Sequence, residues 1–131
     1  MPDFHFEYDD ENKIFAVRVT GRATDEVFRV AYATVNGYLE GREVRGALID
    51  LSACEHFGVS AAAIRQMSAQ HPVFSDPTPR YVIATQAHVF GMARMFQIVS
   101  PRGREALHVV RSVQDAHDAL GLRAPRFERL A

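Results

Sequence analysis

The chain has no tryptophan, a single cysteine and a single lysine, Lys13, in 131 residues. One cysteine, Cys54, excludes an intramolecular disulfide, so the fold must stand on its core and a reducing compartment is expected. The shortage of lysine leaves arginine to carry the positive charge, and the formal net charge is only −1. That balance is wrong for a dominant polyanionic partner, and no nucleic acid is expected. No apolar run approaches the ~20 residues that cross a bilayer. The start, Met1-Pro2-Asp3-Phe4-His5, lacks a basic stretch followed by an apolar one, so no signal peptide is read and a cytoplasmic protein is expected. Repeats, low-complexity tracts and linkers are also missing. The motifs of common enzymes are missing too: no H-E-x-x-H, G-x-S-x-G, Walker loop or G-x-G-x-x-G. Neither cofactor nor metal is expected, although Cys54-Glu55-His56 places three metal-binding residue types side by side, without a distant partner motif. A non-enzyme is the expectation.

What is present is a core. Apolar residues make up 47% of the chain and charged residues 24%, values of an ordinary soluble domain. A chain of this length buries about two-thirds of its surface without staples. Phe4, Phe6 and Tyr8 alternate with polar residues, the two-residue period of a strand. Asp9 to Asn12 supplies a turn. Residues 13–20 alternate again, with Phe15, Val17 and Val19 on one face and Ile14, Ala16, Arg18 and Thr20 on the other. The two runs read as a hairpin ended by Gly21.

Thr24 or Asp25 is suited to cap a helix over 24–40, about 25 Å long. Its inner side holds Val27, Ala31, Val35, Tyr38 and Leu39, and Gly41 stops it. Ala47 to Leu51 is a short apolar run, as a central strand requires. Residues 52–59 read as a loop. Ser60 caps a helix to about Gln70 with Ile64 and Met67 inward, ended by His71-Pro72. Tyr81 to Ala84 is a strand, 88–100 a helix stopped by Pro101, and Ala106 to Val110 a strand. Ser112-Val113-Gln114-Asp115 has capping-box spacing and opens a last helix closed by Gly121. The predicted order is ββαβαβαβα: about five strands in a mixed, mostly parallel sheet with an antiparallel edge hairpin, and four helices. One domain spans 1–122, and 123–131 is read as a loose or surface-packed tail.

Three strings carry a family resemblance: the strand Ile14 to Gly21 ending in Val19-Thr20-Gly21; Leu48-Ile49-Asp50-Leu51-Ser52 with Ser60 to Met67; and Arg80 to Ala84 followed by Phe90-Gly91-Met92-Ala93-Arg94-Met95-Phe96. Together they resemble the SpoIIAA-like family, related in fold to STAS domains and to the SEC14 lipid-binding (CRAL-TRIO-like) domain. The resemblance covers about residues 4–121. That family is bacterial and mostly of unknown function, so the resemblance implies the α/β fold above more than a role, and a non-catalytic binding or regulatory domain is the expectation.

In anti-sigma-factor antagonists of STAS type, a partner kinase phosphorylates a serine at the helix start after the central strand. Ser60 matches that place, although the antagonists' Asp-Ser-Ser-Gly is here Gly58-Val59-Ser60-Ala61. Phosphate at a helix start meets free N–H groups. Asp50, Ser52, Ser60 and Arg65 are therefore a candidate phospho-switch or anion site, against the plainer reading of Ser60 as a structural cap worth ~1 kcal/mol.

The helix over 88–100 is apolar nearly all round. Val89, Met92, Ala93, Phe96 and Val99 share one stripe, while Phe90 and Ile98 flank Arg94 opposite and Met95 lies between. Such a helix expects two covers: the loop 71–79, a second copy in a homodimer, an apolar or lipid-like ligand, or a peripheral membrane contact. Ile64, Met67, Phe90, Met92, Arg94, Met95, Phe96 and Ile98 are the candidate lining of such a ligand site, a reading that the SEC14 relationship implies as well. Arg65, Arg80, Arg94, Arg102 and Arg104 would hold an anion only if the fold gathers them; solvated surface charge is the plainer reading.

Overall fold

The structure is a computed structural model, and it describes residues 4–68, 78–99 and 107–130, apart from the side chains of Ile64, Met67, Ser68, Phe96 and Val99. In chain order the elements are β1 (Phe4–Asp9), β2 (Ile14–Val19), β3 (Gly21–Ala23), α1 (Asp25–Leu39), β4 (Gly46–Asp50), β5 (Cys54–Phe57), α2 (Ala61–Ser68), β6 (Arg80–Ile83), α3 (Ala87–Val99), β7 (Leu107–Val110), α4 (Val113–Leu120) and β8 (Glu128–Arg129). The predicted ββαβαβαβα frame is present, with three short strands added.

The main sheet has six strands in the order β7-β6-β4-β2-β1-β8. β2, β4, β6 and β7 run parallel, and β1 pairs antiparallel to both β2 and β8. β3 and β5 form a separate parallel pair. One expectation is corrected here. Residues 52–59 are not simply a loop: Cys54–Phe57 pairs with the segment just after Gly21, so Gly21 begins a strand as well as ending one. Its φ of +70° turns the chain between the two sheets. The tail packs along the sheet: the Leu130 N–H donates to the Phe6 carbonyl (2.8 Å) and β8 extends the β1 edge.

The parallel strands are added in one direction, from β2 to β4, β6 and β7. Right-handed crossovers that advance one way leave their helices on one face. One hydrophobic cluster accordingly joins Phe15, Val17 and Val19 to Val35 of α1, Ala63 of α2, and Val89 and Ala93 of α3. The other face is thinner: Ile14, Ala16, Leu48 and Ile83 meet Ala116 of α4, with Leu122 and Phe127 of the tail packed beside them. The two faces of β2 are those read from its alternation.

Helix ends follow local chemistry. Thr24 caps α1 through the Val27 N–H, and Ser112 caps α4 through the Asp115 N–H. Gly121 closes α4 at φ +67°, the left-handed geometry of a C-terminal stop. At the hairpin, the Asp9 carboxylate accepts from the backbone N–H groups of Glu11 and Asn12 and from the Asn12 side chain, which builds the turn predicted there.

Candidate functional site

Two polar constellations stand out, and they divide the predicted anion-site residues between them. The first joins the starts of two helices. The Asp25 carboxylate, in the first turn of α1, accepts from the Ser60 N–H (2.6 Å) and the Ser60 hydroxyl (2.8 Å). That hydroxyl oxygen accepts in turn from the Ala63 N–H (3.1 Å), so Ser60 caps α2. The cap predicted from sequence is present, and its partner Asp25 lies 35 positions away in the first turn of the other helix, a pairing that local sequence does not signal. The two bonds from Ser60 hold the Asp25 carboxyl below the usual carboxylate range. Two helix N-termini, each with a positive dipole end, therefore share one carboxylate. Ser60 is exposed to solvent.

The second constellation crosses β1, β2 and β4 on the face that α4 covers. Asp50 ends β4 and is buried. Its carboxylate accepts from the Arg18 guanidinium (2.5 Å), the Ser52 N–H (2.9 Å) and the Ser52 hydroxyl (2.5 Å). Arg18 also donates to Glu7 (3.0 Å), and His5 lies 2.6 Å from the other Glu7 oxygen. Register explains the row: His5 is opposite Arg18, and Arg18 is opposite Asp50. The Phe127 ring lies 5.1 Å from the Arg18 guanidinium carbon, and the His117 ring stacks on Phe127 at 6.3 Å. The Nε2 atom of His117 is buried without a hydrogen-bond partner. Burial first, and then the charge of Arg18, push its pKa down. Burial pushes the Glu7 carboxyl up, but bonds from His5 and Arg18 outweigh it and leave the group below its ordinary value.

The candidate anion-site residues Asp50, Ser52 and Ser60 fall into separate hydrogen-bonded sets. Asp50 and Ser52 bind each other and Arg18, while Ser60 binds Asp25; neither set shares a hydrogen-bond partner with the other. Arg65 is an exposed residue of α2. Arg94 donates to Gln97 (2.5 Å), and Arg102 and Arg104 lie outside the described residues. Arg18, which the sequence does not mark as a site residue, is the centre of the Asp50 set. A lone arginine in an apolar strand and a lone aspartate ending another were the available signal, but only strand order makes them neighbours.

The over-apolar helix is largely resolved within the chain. Phe90 packs against the core and lies beneath Arg111, whose guanidinium carbon is 4.0 Å from the ring centre. Met92 and Met95 also pack on the core, while Ile98 is 54% exposed. Among the described residues, the other exposed large apolar side chain is Val30. Ile64, Met67 and Phe96 of the predicted lining, and loop 71–79 except its last two residues, lie outside the described side chains and residues.

Strand order also bears on the carboxyl edge of the sheet, where Asp50 ends β4. Ligand crevices in open α/β sheets open where strand order reverses. Here the parallel strands advance in one direction without reversal. Cys54 is 2% exposed and donates its thiol to the His56 carbonyl. Among the described residues, no three of His, Cys, Asp and Glu gather to hold a metal, and no helix is long and apolar enough to cross a membrane.

No family model and no curated protein matches the chain. Among solved structures it is similar to an uncharacterised protein of the DUF3478 family with a SpoIIAA-like fold from Shewanella loihica PV-4, at 19% identity and a TM-score of 0.57. The match covers 89% of this chain and 91% of that one.

Proposed function

From a SpoIIAA-like fold with two helix starts tied at one serine, we propose that this chain is a non-catalytic regulatory domain of STAS type, read by a protein partner at Ser60. One observation carries the proposal: the exposed Ser60 hydroxyl both caps α2 and donates to Asp25 of α1. A phosphate on Ser60 removes the donated proton and sets two negative charges beside a carboxylate. It also supplies a better anion for the α2 start. The phosphate would take the place of Asp25, and the tie between α1 and α2 would break. One modification would thus change both the charge and the helix contact that a partner meets.

The test is partner binding by Ser60→Ala and Ser60→Asp variants against the kinases and sigma-factor regulators encoded beside the gene. The aspartate variant is expected to bind differently from the alanine variant, because both lose the hydroxyl and only one adds charge. Equal binding by the two to every candidate removes the switch.

A second reading, an apolar or lipid-like ligand or a peripheral membrane contact at α3, rests on exposed Ile98 beside partly buried Phe90, Met92 and Met95. Native mass spectrometry and liposome flotation of the purified chain test it. Absence of both a co-purified ligand and flotation overturns this reading.

A further inference from the structure

The chain from Gly121 onward forms a strap. It leaves α4, passes Leu122 and Arg123, and returns to the β1 edge. Its seat is well defined. The Arg126 N–H donates to the Asp9 carboxylate (2.9 Å), and Leu130 donates to Phe6 (2.8 Å). Arg129 is opposite Glu7, and Glu128 is opposite Tyr8. Phe127 covers Arg18, and Leu130 packs against the larger core cluster. The bend that delivers the strap is strained. Ala124 has φ +46°, the left-handed region that side chains other than glycine and asparagine avoid. Pro125 follows it, and a residue before proline is pushed toward extended geometry.

We propose that residues 125–130 exchange between two copies of this chain, each strap completing the β1 edge of its partner. The seat residues Phe6, Glu7, Tyr8, Asp9 and Arg18 come from the first hairpin, and the strap comes from the far end of the sequence. Every bond between them forms equally well in trans, so exchange loses no contact of the seat. Straightening the bend releases Ala124 from its left-handed geometry, which tilts the balance toward the open chain. The edge also matters. An uncovered β1 would present free backbone donors and acceptors, so a strap that leaves one copy is replaced by the strap of the other.

The test uses the full chain. Light scattering on a sizing column, across a concentration series, is expected to show a monomer–dimer equilibrium. Ala124→Gly removes the penalty at both hinges and is expected to raise the dimer dissociation constant about tenfold or more. An equimolar mixture of a Glu7→Cys chain and an Arg129→Cys chain, refolded together and oxidised, is expected to yield a disulfide between the two different chains, identified by peptide mass. A chain that stays monomeric throughout, a dimer without that disulfide, or a dissociation constant unmoved by Ala124→Gly overturns the exchange.

Discussion

Arg18 sits where a strand alternation would tolerate an apolar residue, and its charge is balanced on both sides. It is 21% exposed and bridges Glu7, at 16%, and Asp50, at 9%. Pairs as sheltered as this add little net stability when intact, yet breaking one leaves a carboxylate without its counter-ion. Arg18→Met is therefore expected to destabilise the fold by about 3 kcal/mol, the low end for a buried pair because some solvent reaches this one. Urea unfolding followed by circular dichroism measures it. The double variant Arg18→Met with Asp50→Asn should recover part of the loss; no recovery would mean that the two residues do not act as a pair. The sequence showed both residues and the face each occupies. It did not show that β2 and β4 are neighbours, and that adjacency makes the pair.

At the scale of elements, α4 and β4 meet with little space to spare. A Cβ added at Gly46 would come within 3.0 Å of a Leu120 methyl and 3.1 Å of an Ile14 methyl. Both contacts are closer than packed side chains normally allow, so one neighbour must move. Gly46→Ala is expected to cost about 1–3 kcal/mol through overpacking, with the loss concentrated where α4 docks. Hydrogen exchange should show α4 amides opening earlier while those of α1 keep their protection. The helices themselves were legible from their caps, Thr24, Ser60 and Ser112, because a cap is a local bond between residues three apart. The short strands β3, β5 and β8 were not legible. They are two to four residues long without the apolar run that marks the equally short β6 and β7, and each forms because a distant edge is offered to it.

Across the whole molecule, acid acts in one direction on several separate groups. His117 has its pKa pushed below 6.5 by burial and by Arg18. The unfolded chain therefore binds a proton first, and stability held above about pH 6.5 falls as pH drops through the folded value. Glu7 and Asp9 lie below the ordinary carboxylate range; for Asp9, burial pushes up, and bonds from Asn12, Arg126 and Glu11 outweigh it. Their contribution is present above the unfolded values and is lost in the acid range beneath them. A two-stage loss of melting temperature is expected, one stage below about pH 6.5 and one below about pH 4.5. His117→Phe should flatten the first stage and leave the second. A first stage unchanged in that variant would assign it to another group. The strap lies over the same face, so its release should follow the same pH course.

By itself, the sequence determined the order of the four helices and of the strands β1, β2, β4, β6 and β7, the hairpin turn at Asp9, the capped helix starts and which side of β2 faces which apolar cover. These are local properties, set by side-chain period and by hydrogen bonds between residues a few positions apart. Only the tertiary structure decided that the polar residues fall into two sets, Ser60 with Asp25 and Asp50 with Arg18. It also placed Arg111 over Phe90 and returned the tail to β1. Each of these pairs bridges residues about twenty or more positions apart. Strand order and crossover hand bring such residues together, and neither is written in any short stretch of the chain.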